Sequence, residues 1–337
     1  MARSSLEHWF ARTWLRRGLA ARLLWPLSQL FGLLASARRI AYRAGLAKSE
    51  RLAVPVIVVG NIFIGGTGKT PFTIWLLEAL QRAGFHPGVI SRGHGAKSDR
   101  PQVVGTASLP SDVGDEPLLI AQRTACPVVV GRNRAAAGRY LLAQFPSVDV
   151  IVSDDGLQHY ALQRDVEIIV SDGRGAGNGW LLPAGPLREP ASRRRDFSVV
   201  NSSEPADAPA WQMQMQGSEI FNLKDSTGRI HLRDLAGRAS IAAAAGIGNP
   251  ERFFSMLQSA GLRFHALPLP DHFDYAGYSF AHVPAQVILI TEKDAVKCRH
   301  IPALAQDGRL WVVPISAQLD AALAEQIVEK LHGHATA

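Results

Sequence analysis

The chain has 337 residues, 47% of them hydrophobic and 19% charged, with 36 Lys and Arg against 29 Asp and Glu for a formal charge of +7. That length corresponds to about two domains with ample material for a buried core, and the composition excludes disordered and fibrous classes. Two cysteines, Cys126 and Cys298, lie far apart in no metal-ligating spacing, so neither a disulfide framework nor a zinc site is indicated and a cytosolic body is expected.

The positive charge is concentrated at one end. Residues 1–51 carry ten basic side chains against Glu7 and Glu50, which leaves 26 basic and 27 acidic in the other 286 residues. A near-neutral body argues against nucleic acid as a partner. Between Arg22 and Arg38 run 15 uncharged residues, Leu23 to Ala37, with Pro26 among them. This falls short of the roughly 20 apolar residues of a spanning helix, and basic residues on both sides do not fit a cleaved export signal. Leu15, Leu19, Leu23, Leu27, Leu30 and Leu34 recur in steps of four and three, one stripe of a helix, and Trp9, Trp14 and Trp25 add rings suited to a membrane interface. The segment reads as a helix lying on an anionic membrane, or as one packed on its own domain with a solvated arginine face. Arg12 and Arg16 fall on the leucine side, so the stripe is not cleanly amphipathic.

Val54 to Val59 is a β-branched run of the kind found in buried parallel strands, and it enters Gly60-Asn61-Ile62-Phe63-Ile64-Gly65-Gly66-Thr67-Gly68-Lys69-Thr70-Pro71 ahead of a helical pattern. Strand, glycine loop and helix in that order form a phosphate-binding loop. Backbone N–H groups of Gly66, Gly68 and Lys69 would face the phosphates of ATP, Lys69 would neutralise their oxygens, and Thr70 would offer a hydroxyl to Mg²⁺. Gly65, Gly66, Thr67 and Gly68 allow close approach, and Pro71 fits the first turn, where a missing N–H costs little. The strict pattern has a further glycine where this chain has Phe63, so the loop is a variant.

Residues 85–90, 127–131, 148–153 and 166–171 read as further strands of an α/β sheet. The run Asp149 to Ser153 ends in Asp154-Asp155-Gly156, which places two carboxylates at a strand's carboxyl end beside the loop, where they could hold Mg²⁺. Asn201 to Ala210 is rich in Ser, Pro and Ala and marks a boundary. Beyond it, strand-like runs at 240–245, 287–290 and 310–315 alternate with helical patterns, so the second lobe is α/β too. Its Gly246-Ile247-Gly248-Asn249-Pro250 turn has Glu251 in the third glycine's place, which argues against a second nucleotide cofactor.

The loop at Gly65–Pro71 stands with six further motifs: Ser91-Arg92-Gly93, Gly114-Asp115-Glu116-Pro117, Asp154-Asp155-Gly156-Leu157-Gln158-His159, Leu182 to Pro190 (LPAGPLREP), Pro270-Asp271-His272-Phe273 and Thr291-Glu292-Lys293-Asp294. In this order over nearly the whole chain, they resemble the tetraacyldisaccharide 4′-kinases, the lipid A 4′-kinases of Gram-negative bacteria, whose loop also lacks the first glycine. The resemblance implies ATP-dependent phosphorylation of the 4′-hydroxyl of an acylated glucosamine disaccharide 1-phosphate at the cytoplasmic face of the inner membrane. It implies three parts: a basic membrane-associating helical segment (1–51), a P-loop kinase core with a parallel sheet (52–205) and a smaller C-terminal α/β domain (206–337), with the site in the cleft between the last two.

On this resemblance Asp115 is the base, assisted by His272, and the cleft must close to bring the two together. Glu116, Asp154 and Asp155 join Thr70 as Mg²⁺ candidates. Gln158 and His159 match the family's site, Arg134 and Arg188 are candidates for phosphate contacts on ATP or on the lipid, and Glu189 would orient Arg188 or bind the second sugar. Taken alone, Asp115 could cap a helix beginning near Pro117, and Thr291-Glu292-Lys293-Asp294 reads as a hinge or strand-end turn. A membrane-associated P-loop ATPase switch acting on a protein partner would use the same loop and aspartates without needing the Asp115–His272 pair.

Overall fold

The computed structural model describes residues 13–93, 100–205, 209–237 and 240–334; Arg3, Trp9 and Arg12 of the basic segment, and 206–208 of the expected boundary, lie outside the described residues. In chain order the elements are α1 (Leu19–Arg43), β1 (Val56–Gly60), α2 (Lys69–Arg82), β2 (Pro87–Ser91), β3 (Gln102–Val103), α3 (Pro110–Val113), α4 (Asp115–Thr124), β4 (Val128–Val130), α5 (Arg134–Gln144), β5 (Val150–Asp154), β6 (Val166–Asp172), β7 (Phe197–Asn201), β8 (Ala210–Gln216), β9 (Glu219–Asn222), β10 (Arg229–His231), β11 (Ile241–Ala245), α6 (Pro250–Ser259), β12 (His265–Pro268), β13 (Val287–Thr291), α7 (Glu292–Cys298), α8 (Pro302–Ala305), β14 (Leu310–Val313), β15 (Ser316–Gln318) and α9 (Ala321–His334).

A nine-stranded sheet has the order β15-β8-β7-β6-β1-β5-β2-β4-β3, parallel from β8 to β4 with an antiparallel strand at each edge. Its inner strands read as unbroken apolar runs because both faces are covered. In β1, Ile57 and Val59 join the core under α2, with Leu76, Leu77 and Leu80, while Val56 and Val58 join the opposite core with Leu141 of α5. The second sheet, β10-β9-β14-β13-β11-β12, has four parallel strands and an antiparallel pair at one edge. Phe253, Phe254 and Leu257 of α6 cover one of its faces, and Tyr275 and Phe280 cover the other.

The expected α/β architecture with a mostly parallel sheet is present, and the strands read at 85–90, 127–131, 148–153 and 166–171 lie within two residues of β2, β4, β5 and β6. Sheet membership does not follow the expected division at 205/206. Strands β8 and β15 hydrogen-bond into the first sheet, and Leu323, Ile327 and Leu331 of α9 join its core. The chain therefore leaves the first sheet after residue 216 and returns to it at 316, because β8 pairs alongside β7 and offers β15 an open edge.

Helix α1 packs through small residues. Ala21 and Ser28 are its buried positions; Ser28 Oγ donates to Leu181 O (2.7 Å) and accepts from Ala184 N (3.0 Å). Trp14 Nε1 donates to Pro183 O at 2.9 Å. Leu19, Leu23, Leu27, Leu30, Leu33 and Leu34 are exposed on the other side. The helix extends beyond the uncharged stretch at both ends. Its 25 residues, with mean hydropathy 1.2 in the most apolar window, suffice by length and composition to cross a bilayer, although only 11% of that window is buried in the protein.

Candidate active site

Strand β1 delivers the chain at Gly60 into the glycine loop, and α2 begins at Lys69, so the loop stands at the carboxyl edge of the sheet against a helix N-terminus. Gly68 sits at φ +96°, and a Cβ there would fall 2.6 Å from both Asn201 Nδ2 and Met215 Cε, so a larger residue would be strained and would displace those side chains. Lys69 Nζ donates to Asn61 Oδ1 at 3.1 Å and lies 3.6 Å from Asp155 Oδ1. Asn61 Nδ2 donates to Phe63 O and Gly65 O, and Asn201 Nδ2 donates to Thr67 O. These two asparagines hold the loop's shape and were not among the sequence candidates. Thr67 is buried inside the loop and Thr70 follows Lys69 in the first helical turn.

Asp154 closes β5, with the hydroxyls of Thr73 and Ser91 donating to it at 3.4 Å. Burial, reinforced by Glu116 and Asp155, pushes its carboxyl up to about 7. Asp155 follows in a left-handed backbone conformation (φ +47°). Burial opposes its charge, but Lys69, Arg188 at 3.5 Å and Arg134 hold its carboxyl below the ordinary value. Glu116 is engaged by Lys293 Nζ at 3.0 Å. Among the described residues, no three His, Cys, Asp or Glu side chains gather closely enough to ligate one ion. Arg134, expected at a phosphate, is only 2% exposed and donates to Gly131 O (2.7 Å) and Asp154 O (3.2 Å). It braces the end of β5 from a helix that packs on β2 and β4.

Asp115 is the first residue of α4, with Gly114 at the capping position, so the helix starts one residue earlier than a capping role for Asp115 would need. His272 lies in the turn after β12 with φ +55°, unusual for a side-chain-bearing residue. Its Nδ1 is 3.0 and 3.1 Å from the two Asp115 oxygens, so residues 157 apart in sequence are already assembled across the two sheets. Burial opposes ionisation of Asp115, but the hydrogen bond from His272 and the charges of Lys293 and Lys297 hold its carboxyl well below the usual range. The same bond raises His272 above its ordinary value.

Gln158 and Glu189 meet directly: Gln158 Nε2 donates to Glu189 Oε1 at 2.9 Å. Glu189 is 4% exposed and also accepts from Tyr160 Oη (2.8 Å) and Arg193. It therefore pairs with Arg193 rather than orienting Arg188. Burial, with Arg134 and Arg92 nearby, pulls the half-buried His159 down to about 4. Beside the loop, Asp172 at the end of β6 holds Arg174 through paired bonds and has Arg252 of α6 at 3.4 Å; Arg174 also donates to Gly66 O. Sequence reasoning missed both arginines, though an acidic residue closing a parallel strand next to the loop is the signal that could have found them.

A family model described as tetraacyldisaccharide-1-P 4′-kinase matches residues 20–332. The chain belongs to the tetraacyldisaccharide 4′-kinase family. A relative of that description from Herminiimonas arsenicoxydans is 59% identical over 100% of this chain and 99% of its own, and one from Janthinobacterium sp. is 60% identical over the same shares. A solved structure of LpxK from Aquifex aeolicus, described as an "apo" form in complex with ATP, has a TM-score of 0.76 and 27% identity over 92% of this chain and 99% of that one. The enzyme class expected from the motifs, a kinase of lipid A synthesis, is that of the family.

Proposed function

We propose that the chain transfers the γ-phosphoryl group of ATP to the 4′-hydroxyl of a tetraacyldisaccharide 1-phosphate, with α1 seated on the cytoplasmic face of the inner membrane. The observation that carries this reading is the Asp115–His272 pair, assembled across the two sheets beside the Lys69 loop. Phosphoryl transfer asks mainly for positioning and charge stabilisation. The glycine loop and Lys69 hold the triphosphate at the N-terminus of α2, and Arg174 and Arg188 supply further positive charge around it. Arg188, Gln158 and His159 line the approach of the disaccharide, with the buried Glu189 holding Gln158 in place.

The sugar oxygen attacks the γ-phosphorus, the bond to the β,γ-bridging oxygen breaks and ADP leaves. The hydroxyl proton passes to the Asp115–His272 pair. Asp115 is 6% exposed and His272 30%, and the carboxylate is already occupied by Nδ1. Within the pair His272 Nε2 therefore takes the proton, while Asp115 orients the ring and stabilises the imidazolium, the reverse of the expected roles. Mg²⁺ fits the donor set. Asp155 Oδ1 is a buried oxygen met only by the longer ion contacts of Lys69 and Arg188, and Asp154 is a buried carboxylate short of compensating charge. Mg²⁺ commonly takes one or two carboxylates and completes its shell with phosphate and water, so Asp154, Asp155 and Thr70 would hold it, with Glu116 adjoining. The ion would neutralise phosphate charge.

The test is detection of labelled phosphate moving from ATP to the tetraacyldisaccharide 1-phosphate. His272→Ala is expected to slow transfer about 10²–10⁴-fold with ATP affinity little changed. ATP turnover indifferent to the lipid would instead favour a nucleotide switch, and equal loss of ATP binding and transfer would remove His272 from the chemistry.

A further inference from the structure

The segment Thr291-Glu292-Lys293-Asp294 reads in sequence as a turn, and its side chains act outside that turn. Thr291 caps α7 by accepting from Asp294 N, and Asp294 Oδ2 accepts from Gly246 N at 3.0 Å. Glu292 takes both oxygens to Arg123 Nη1 at 2.8 Å, tying α7 to α4. Lys293 does something different. Its Nζ lies 3.0 Å from Glu116 Oε1, 3.3 Å from Asp271 Oδ1 and 3.4 Å from His272 Nε2, with the side chain 14% exposed.

We propose that Lys293 is a positioning residue for the transfer: it fixes His272 between two partners of opposite kind, so that Nδ1 carries the proton and Nε2 presents a lone pair. A carboxylate only accepts and an ammonium only donates, so a neutral ring held between Asp115 and Lys293 has its hydrogen on Nδ1, Asp271 Oδ1 lying beyond hydrogen-bond reach of Nε2 at 3.9 Å. Nε2 is then kept as an acceptor, and the incoming sugar hydroxyl takes the place of the ammonium proton there. The contact to Asp271 pins the residue that precedes His272, whose left-handed backbone would otherwise relax. The contact to Glu116 ties the same ammonium to α4, next to Asp115. The Glu292–Arg123 pair already joins the two helices, so Lys293 is not needed as a strut.

This rests on the transfer reading above, and the experiment separates the two. Wild type is assayed first for transfer to the tetraacyldisaccharide 1-phosphate; its inactivity would defeat the transfer reading. With an active wild type, Lys293→Met and Lys293→Ala are expected to lower kcat about 10²-fold, with KM for ATP and Tm close to wild type. Methylammonium, a small N–H donor, is expected to restore part of the kcat of Lys293→Ala, and tetramethylammonium at equal concentration is not. A kcat within twofold of wild type in both variants would overturn the proposal. So would a loss that methylammonium does not rescue, or that falls in step with Tm in the near-isosteric Met variant.

Discussion

Two site residues, Asp155 and His272, hold left-handed backbone conformations that cost a side-chain-bearing residue about 1–2 kcal/mol. Such strain persists where the surroundings over-determine it, and here partners at fixed distances do so: Lys69 and Arg188 at Asp155, Asp115 and Lys293 at His272. The Asp115–His272 pair also gives the protein a pH signature. Asp115 is held below its ordinary 3.8, so its contribution to stability is complete above that value and is lost as pH falls through the folded-state value. His272 is held above its ordinary 6.5, so its contribution is complete below 6.5 and is lost as pH rises through the raised value. The Tm gap between wild type and Asp115→Asn is therefore expected to be widest between those two pH values and to narrow on either side; a gap independent of pH would mean that the pair is not ionic. At Gly68, alanine is expected to weaken ATP binding at least tenfold by calorimetry, because φ +96° strains a side-chain-bearing residue and its Cβ would displace Asn201 from Thr67 O. Much of the site was legible from local pattern: GGTGKT after a β-branched strand, paired aspartates at a strand end. Asn61, Asn201, Arg174 and Lys293 were not, because what ties them to the candidate site is a partner brought close by the fold.

At the level of elements, α1 makes the clearest prediction. Its exposed leucines contribute nothing to the protein's own core, so replacing Leu23, Leu27, Leu30 and Leu34 by serine is expected to leave Tm unchanged. Each loses about 1.5–3 kcal/mol of burial only when a membrane is present. Vesicle flotation should therefore fall steeply while ATP binding persists. Unchanged flotation would leave the face without a membrane role. The inner strands were legible because burial on both faces demands continuous Val and Ile. Strand β8, AWQMQMQ, was not, since it alternates polar and apolar residues near the sheet edge. Nor was β15, three residues long and dependent on β8 for pairing.

For the whole molecule, the two sheets are joined by chain that leaves and returns as well as by side chains: Arg123 with Glu292, and Arg252 with the end of β7. Arg123→Ala leaves the largely buried Glu292 without its cation and is expected to cost about 1–3 kcal/mol, read as a lower midpoint in urea. An unaltered midpoint would show that the joint relies on Arg252 and on the crossing chain. The contact between Ser28 and residues 181 and 184 has a reach beyond holding a helix. The same segment continues to Pro186 and Arg188, whose backbone bonds Ile64 and Ile62 at the mouth of the glycine loop. A bilayer gripping α1 would thus set the height of the phosphoryl donor above its own surface. On the proposed reading the enzyme would then search for its lipid in two dimensions, with only head groups protruding to that height within range.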